Sequence, residues 1–332
     1  MRAARCLRYG PPSSISLEEV EDPVPADGEV VVEVAAAAAN YPDVLVVADR
    51  YQVHIPVPFT VGSEFAGIVR TLGPGVRGVA VGDRVTGSVL FGAFAERVAV
   101  AASSLQPVDP SIDLATAAAT GVAHRTAYHA LRSVARVEPG EWVVVLGAAG
   151  GVGLATIGLG AALGARMVAA ASSPEKLGLC LEHGAAAAID YRTEDLKARV
   201  KDITGAGAHA VIDPVGGPCA EQALRATRWG GRFVTVGFAS GEIPRIPLNL
   251  VLLKGVVVTG FTLGGLARNQ PEEQARDIAE LAELVRSGRT RPHISATYPL
   301  EGAGRALADL AGRRAMGKVL VVPGAPAGAD PR

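Results

Sequence analysis

Cysteines, aromatic residues and long apolar runs are all scarce in this chain of 332 residues. The three cysteines, Cys6, Cys180 and Cys219, are too widely separated for a disulfide framework or a close-spaced metal site, and we expect them to be packing residues. Apolar runs such as residues 143–146 and 256–258 are far shorter than the roughly 20 residues that a membrane-spanning helix needs. The sequence therefore predicts neither a disulfide-rich secreted domain nor a membrane protein.

An excess of charge of either sign is also missing. The chain has 32 Lys and Arg residues against 33 Asp and Glu, a formal net charge of -1. This balance gives no electrostatic reason to expect a nucleic acid or an anionic membrane as a partner. The first residues, Met1 to Arg5, lack the apolar core of a signal peptide, so we expect the protein in the cytoplasm. What is abundant, 49% apolar residues and 40 glycines, suits a globular α/β protein.

Two different sequence patterns divide the chain into domains. Up to residue 122, short strand-like segments (30–34, 64–72, 82–85 and 95–100) are separated by proline and glycine, a pattern typical of an all-β, barrel-like domain. From 123 to 261 apolar strands alternate with helices, which predicts a parallel sheet covered on both faces. Residues 262–332 are predicted to return to the first domain with a helix at 271–286, a strand near Ile294, a helix at 301–311, a strand at 317–322 and a mobile terminus from 324.

The segment from Val143 to Gly153 has the sequence of a strand, a glycine turn and a helix start. Glycines let the backbone approach a pyrophosphate, whose charge meets free N–H groups at the helix N-terminus. A glycine turn of purely steric origin is the alternative, but this turn opens the first of several βαβ units, which favours dinucleotide binding. We therefore predict that Gly150, Gly151, Val152 and Gly153 bind the cofactor.

The residues at the end of the second strand of the predicted parallel sheet indicate whether a protein prefers NAD or NADP. A carboxylate about 20 residues after the glycines would bind the ribose 2′-OH, whereas this chain has Ser172 and Ser173, followed closely by Lys176. Two hydroxyls and an ammonium suit a 2′-phosphate, and Tyr191 is placed to cover the adenosine. Lys176 as an ordinary solvated helix lysine is the alternative. The pattern favours NADPH.

Several motifs together resemble a known family. The glycine turn, residues 62–67 (Gly-Ser-Glu-Phe-Ala-Gly) and residues 82–85 (Gly-Asp-Arg-Val) are similar to those of zinc-independent quinone oxidoreductases, the zeta-crystallin-like branch of the medium-chain dehydrogenase/reductase superfamily. The resemblance covers nearly the whole chain, including residues 126–128, 238–241 and 317–319. It implies an α/β fold with a Rossmann doubly wound parallel sheet, a GroES-like β-barrel catalytic domain, a cleft between them and usually a homodimer. It also assigns Gly216, Phe238, Ser240 and Phe261 to the cofactor.

The zinc-using relatives differ at two informative positions. They carry Cys where this chain has Asn40 and His where it has Ser63, and their four-cysteine structural lobe is missing between Gly82 and Glu96. A catalytic zinc needs about three Cys, His or carboxylate ligands. We therefore expect no zinc. Without a Lewis acid the easier reaction is hydride delivery to an already electrophilic carbon, in a quinone or an α,β-unsaturated carbonyl.

The candidate catalytic residues lie mainly on the loop that follows Ala39. Asn40 is predicted to bond the acceptor oxygen or the nicotinamide ribose, and Asp43 to order its surroundings, with simple capping of a turn as the alternative. Tyr41 and Tyr51 offer phenol donors or stacking faces, unless they only pack at a domain edge. Thr126 matches a family threonine near the nicotinamide. His54, His124 and His129 are expected to be structural or solvated. The alternatives are a place at the substrate mouth for His54 and an approach to the cofactor for His129.

Three functions remain open at this stage. The first is an NADPH-dependent quinone reductase; the second is a reductase of enones or enoyl thioesters, for which no obvious basic cluster is present. The third is a protein that binds NADPH for a structural or sensing role. The apolar stretch from Ile243 to Phe261 contains the last Rossmann strand, and an apolar edge strand favours pairing with a second copy, edge to edge.

Overall fold

The computed structural model describes residues 1–324, and the terminus predicted to be mobile lies outside the described residues from 325 onward. The chain divides into two compact units. Among the described residues, the first contains Met1–Val122 and residues 292–324, and the second contains Ala123–Arg291. Within residues 1–324, no helix has both the length and the apolar character needed to cross a membrane.

The strands of the described residues are numbered in chain order. They are β1 Arg2–Cys6, β2 Ile15–Glu19, β3 Glu29–Ala39, β4 Phe59–Thr60, β5 Glu64–Leu72, β6 Arg84–Ser88, β7 Arg97–Ala101, β8 Gln106–Pro107, β9 Trp142–Leu146, β10 Arg166–Ala171, β11 Ala185–Asp190, β12 Ala208–Asp213, β13 Thr227–Thr235, β14 Val257–Gly260, β15 Ile294–Pro299 and β16 Lys318–Val322.

The α-helices follow the same numbering. They are α1 Tyr41–Val47, α2 Leu114–Thr120, α3 Val122–His129, α4 Gly151–Ala162, α5 Pro174–Glu182, α6 Leu196–Thr204, α7 Pro218–Ala226, α8 Leu248–Lys254, α9 Leu263–Asn269, α10 Pro271–Arg286 and α11 Ala303–Ala311. A π-helical turn, Ala130–Val134, continues α3.

The first unit is built around the long strand β3. This strand pairs antiparallel with β5, β7 and β16, and the larger sheet runs in the order β15-β16-β3-β5-β6-β8, with β7 on β3 outside this path. A small sheet, β2-β1-β4, lies beside it in the same unit. Buried valines of β3 pack with Phe65 and Phe94, which are both fully buried. Long apolar strands therefore hold the loop after Ala39 on a rigid base.

The second unit contains a six-stranded parallel sheet in the order β11-β10-β9-β12-β13-β14. This is the doubly wound order of a Rossmann fold, as predicted. Val143, Val144 and Val145 in the central β9 are completely buried and feed two separate core clusters. Continuous rather than alternating apolar character is typical of a strand covered on both faces.

The predicted return to the first domain at residue 262 differs from the observed boundary. Residues 262–291 pack with the second unit, and only the chain from Pro292 returns to the first. Helix α10 is held there because Leu281 and Leu284 belong to the same core cluster as Val143 and Val145 of β9. Its polar face also bonds helix α3, since the Tyr128 hydroxyl donates to Glu280 at 2.6 Å.

Four short helices were not predicted. Helices α1 and α2 interrupt the part of the chain that the sequence indicated as all-β, and α8 and α9 lie around the last Rossmann strand. Each has seven residues, so the period of their apolar residues is too short to distinguish a helix from a strand. The sequence did contain a signal for the start of two of these helices: Asn40 before α1 and Asp113 before α2 are residue types that commonly occupy the N-cap position.

Candidate active site

The loop after β3 turns directly into α1 at Asn40. Asp43, in the first turn of α1, accepts a hydrogen bond from the Asn40 backbone N–H at 2.8 Å. The Asp43 carboxyl is 2% exposed, and this burial raises its pKa to about 6, although hydrogen bonds from Ser63 and the Asn40 backbone oppose the rise. Asp43 therefore caps the first turn of α1, which is the alternative considered for it, and its predicted role in ordering the reaction site stays a prediction.

The Asn40 side chain is buried and bonded at both ends. Its Nδ2 donates to the Glu64 carboxylate at 2.9 Å and to the Ala38 carbonyl at 3.2 Å, and its Oδ1 accepts from the Lys318 ammonium at 2.7 Å. An amide has two N–H donors, so none is left for the oxygen of a hydride acceptor. That predicted role conflicts with this arrangement. Oδ1 keeps one lone pair, which is compatible with the other predicted role, a hydrogen bond from a ribose hydroxyl.

Glu64 and Lys318 are site residues that sequence reasoning missed. They lie 1% and 3% exposed in the first unit, and their charged groups are 3.1 Å apart. The second Glu64 oxygen, Oε1, accepts a hydrogen bond from the backbone N–H of Val122 at the start of α3. Glu64 lies in the motif at residues 62–67, and Lys318 lies in the motif at residues 317–319. The signal that could have identified Lys318 is a charged residue at the start of an apolar strand.

The remaining catalytic candidates occupy separate places. Tyr41 is the first residue of α1, and Tyr51 is partly buried against the core of the first unit. Thr126 is buried on α3 in the second unit. His54 is exposed and pairs with Asp49 at 2.8 Å. Their predicted contacts with substrate or nicotinamide stay predictions.

The glycine turn joins β9 to α4 as the sequence indicated. Gly150 is the N-cap residue and Gly151, Val152 and Gly153 form the first turn of α4, where backbone N–H groups have no partner within the helix. A side chain at Gly153 would overlap the Gly147 carbonyl oxygen and the Ala148 backbone. Glycine is therefore required for α4 to approach the strand this closely, and the N–H groups of its first turn can meet a pyrophosphate.

The end of β10 brings together the residues predicted for the 2′-phosphate. Ser173 is the N-cap of α5 and its hydroxyl accepts from the Lys176 N–H at 3.4 Å, so one oxygen lone pair is used while the O–H can still donate. The Tyr191 N–H bonds the Ala171 carbonyl at 3.2 Å, which places the start of this loop beside Ser172. The four predicted residues thus lie at adjacent strand ends of one sheet edge.

The loops after β12 and β13 complete this edge. The Gly216 N–H donates to Asp213 at 2.8 Å, and the Ser240 N–H donates to the Val215 carbonyl at 2.9 Å. A side chain at Gly216 would meet the Phe238 ring, so the two loops touch. Burial raises the pKa of Asp213 despite the backbone N–H groups that it accepts from. The predicted residues after β12 and β13 therefore share one edge with the glycine turn.

Phe261 follows β14 and lies edge-on against His129, with ring centroids 4.8 Å apart. His129 is buried and bonds Asp277 of α10 at 2.6 Å, and the Ser133 hydroxyl donates to the same carboxylate at 2.7 Å. Burial raises the pKa of Asp277, but the hydrogen bonds from His129, Ser133 and Arg276 bring it below its usual value. His129 is thus a structural histidine, as expected.

The cysteines fit the predicted packing role. Cys6 and Cys180 are completely buried, Cys219 is partly buried, and all three are free thiols. Burial raises the pKa of Cys180 to about 12 and also raises that of Cys219. A thiol with a raised pKa is a poor nucleophile because the thiolate is the reactive form.

Two family models match the chain, one in each unit. The alcohol dehydrogenase GroES-like domain matches residues 26–110, and the zinc-binding dehydrogenase domain matches residues 151–283. The second match extends through most of α10, in agreement with the observed boundary of the second unit.

Relatives and solved structures match over nearly the full length. The chain is 36% identical to the quinone oxidoreductase-like protein 2 of Bos taurus, over 96% of this chain and 92% of that protein. It is 34% identical to a quinone oxidoreductase of Pseudomonas aeruginosa, over 95% and 97%. The structure of Escherichia coli quinone oxidoreductase complexed with NADPH matches with a TM-score of 0.91 and 30% identity, over 97% of this chain and 100% of that one. The chain therefore belongs to the zinc-independent quinone oxidoreductase branch of the medium-chain dehydrogenase/reductase superfamily.

Proposed function

We propose that this oxidoreductase reduces a quinone with hydride from NADPH and uses no metal in the reaction. The observation that carries the proposal is the carboxyl edge of the six-stranded sheet, where the predicted nucleotide residues after β9, β10, β11, β12 and β13 all lie. Ligands of open parallel sheets bind at this edge. NADPH, when bound, supplies the hydride, and the structure of the Escherichia coli relative with NADPH supports its assignment as cofactor.

NADPH is favoured over NADH by the end of β10. Ser172 and Ser173 stand where an acidic residue would select NAD, and Lys176 is one turn into α5. The N-terminus of α5 adds a partial positive charge that suits a phosphate. Glu175 also lies in this first turn, but its side chain is exposed. These residues would hold the 2′-phosphate and leave NADH the poorer donor.

The metal-free reaction is supported by the chemistry of two side chains. Zinc-using relatives have Cys and His at the positions of Asn40 and Ser63, whereas Asn40 here bonds Glu64 and Lys318 and Ser63 bonds Asp43. Among residues 1–324, no group of three His, Cys, Asp or Glu side chains is arranged to hold a metal ion. A quinone needs no Lewis acid to accept a hydride, since its reduction gives a stabilised phenolate.

We also propose a homodimer that forms through the edge of the second sheet. Strand β14 is last in the strand order, so its outer edge pairs with no other strand of residues 1–324. Leu248, Leu252 and Leu253 on α8 and Val257 on β14 are between 55% and 80% exposed. Such an apolar edge favours pairing with a second copy of the chain.

The experiment follows NADPH oxidation at its absorbance band with 1,4-benzoquinone, 9,10-phenanthrenequinone and several enones, with NADH in parallel. A sample treated with EDTA serves as the metal-free arm. Turnover of quinones with NADPH well ahead of NADH, unchanged by EDTA, is expected. Turnover of enones alone would move the protein to the alkene reductases. Tight NADPH binding without any turnover would instead indicate a binding protein.

A further inference from the structure

We propose that Lys318 and Glu64 are positioning residues of the active site: together they fix the orientation of the Asn40 amide and anchor the first turn of α3. The inference rests on the proposed function, because its consequence is a faster hydride transfer. Neither residue is assigned to contact substrate or cofactor. Four elements meet at this pair: the loop after β3, the start of β5, the start of β16 and the start of α3.

The donors and acceptors allow only one orientation of the Asn40 amide. An ammonium only donates, so Lys318 must face Oδ1, and an ionised carboxylate only accepts, so Glu64 must face Nδ2. The amide is rigid, so each neighbour opposes a flip of the whole group and the two act in the same sense. The pair therefore keeps Oδ1 as the end of Asn40 that has a lone pair to offer.

Lys318 is fully occupied by this task. Its three N–H groups reach Asn40 Oδ1 at 2.7 Å, Glu64 Oε2 at 3.1 Å and the Ala39 carbonyl at 3.4 Å. An ammonium has three donors, so none remains for a substrate oxygen. This saturation distinguishes a positioning residue from a proton donor.

The other oxygen of Glu64 extends the same arrangement to α3. Oε1 accepts the N–H of Val122, one of the groups that have no partner inside the helix. A side chain at Gly121 would overlap this oxygen, so the close approach depends on glycine. Helix α3 also carries Thr126, which matches a family threonine near the nicotinamide. One carboxylate thus links the Asn40 loop to the helix of a second candidate.

A buried ion pair is weak support for a purely stabilising role. The loss of hydration usually cancels the attraction, and replacing both partners by neutral groups often leaves the free energy of unfolding unchanged. Removing one partner is costly, since the other charge is left buried and unpaired. Stability and positioning can therefore be separated by comparing single and double variants.

The test uses the full chain with NADPH and the best quinone. We measure kcat in a double-mutant cycle. Its members are the wild type, Lys318→Met, Asn40→Ala and the double variant Lys318→Met/Asn40→Ala. Glu64→Gln/Lys318→Met removes both charges. The oxygen of the introduced glutamine can still accept from Val122, whereas its amide N–H groups reverse the polarity toward Asn40. Tyr298→Phe is the matched control: Tyr298 lies on β15, the strand beside β16, and the variant removes a partly buried hydrogen bond from its hydroxyl to Asp309 on α11.

We expect Lys318→Met and Asn40→Ala each to lower kcat at least about tenfold, and the double variant to lose no more than Asn40→Ala alone, as for residues that act as one unit. Relative to Lys318→Met, the variant Glu64→Gln/Lys318→Met should recover the Tm of the wild type but not its kcat. Tyr298→Phe should lower Tm and leave kcat unchanged. Losses that multiply in the cycle, or a kcat that recovers together with Tm, would overturn the proposal.

Hydrogen–deuterium exchange gives a second readout that needs no turnover. Lys318→Met should accelerate exchange in residues 40–47 and 121–126, while Tyr298→Phe should not. Unchanged exchange there would show that the pair does not hold these segments. If the wild-type chain turns over no quinone, the proposed function fails, whereas the exchange result still decides whether the two residues act as an anchor.

Discussion

At the scale of single residues, the buried Asp43 carboxyl controls how stability depends on pH. Its pKa is raised from 3.8 to about 6 in the folded chain. The folded state therefore binds this proton more tightly than the unfolded state, and the contribution present below pH 3.8 is lost as pH rises through about 6. Asp43→Asn keeps an oxygen that can accept from Asn40 but cannot titrate.

We expect the free energy of unfolding of the wild type, relative to Asp43→Asn, to fall by about 2 kcal/mol between pH 4 and pH 6 and to level off above about pH 7, because the full pKa shift is worth about 3 kcal/mol at about 1.4 kcal/mol per unit. Denaturant unfolding of both proteins across this range measures the difference. A difference that is constant with pH, or that grows, would contradict the raised pKa.

Lys176 gives the second prediction at this scale. Replacing it by Met should raise the KM for NADPH about tenfold to a hundredfold, because a hydrogen bond to a charged phosphate contributes about 1.5–3 kcal/mol. The KM for NADH should not change, since NADH has no 2′-phosphate. Lys197→Met, an exposed lysine on α6, is the control. Equal changes with both cofactors would remove Lys176 from the phosphate site.

Sequence reasoning singled out Asn40 and Asp43 because they lie on a loop that resembles the active-site loop of the family. It did not recognise the partner of Asn40, because Lys318 is 278 residues away along the chain. Such a contact depends on β16 pairing with β3, and no local pattern encodes that pairing. Charged residues brought together by non-local strands are therefore the part of the site that a sequence conceals.

At the scale of elements, the start of α3 depends on the space beside Gly121. Gly121→Ala would push Glu64 away from the Val122 N–H. A buried group left without its partner costs about 1–3 kcal/mol, so we expect the free energy of unfolding to fall by this amount. Gly178→Ala is the control, because nothing lies within 4 Å of its added carbon in α5. It should be neutral or stabilising by up to about 1 kcal/mol. Equal effects would contradict the predicted overlap.

The elements that were predicted correctly have a strong periodic pattern or a clear boundary. Strand β9, the glycine turn and α4 follow from an apolar run that ends at glycine. Helix α10 was predicted as a helix but assigned to the wrong unit. Its partner there is His129, and the bond from His129 to Asp277 spans 148 residues. Periodicity shows which face of a helix is buried but not the element against which it packs.

At the scale of the whole molecule, the exposed edge of the second sheet predicts the state of association. Val257→Lys should convert the proposed dimer into a monomer, since a charge on an edge strand opposes pairing with another strand. Val24→Lys, at an isolated apolar residue that is 85% exposed in the first unit, should have no effect. Light scattering or sedimentation measures both. A monomeric wild type, or a dimer that survives Val257→Lys, would contradict the edge-to-edge arrangement.

The division of the first unit between the two ends of the chain has a consequence for biosynthesis. Strand β3 precedes the second unit in the chain, whereas its neighbour β16, with Lys318, follows that unit and is therefore made after it. Until then Ala37, Ala38 and Ala39 lack a pairing partner on that side, and the Asn40 amide lacks the donor that orients it. A nascent chain can therefore complete its second unit first, and the proposed site around Asn40 can form only after β16 has been made.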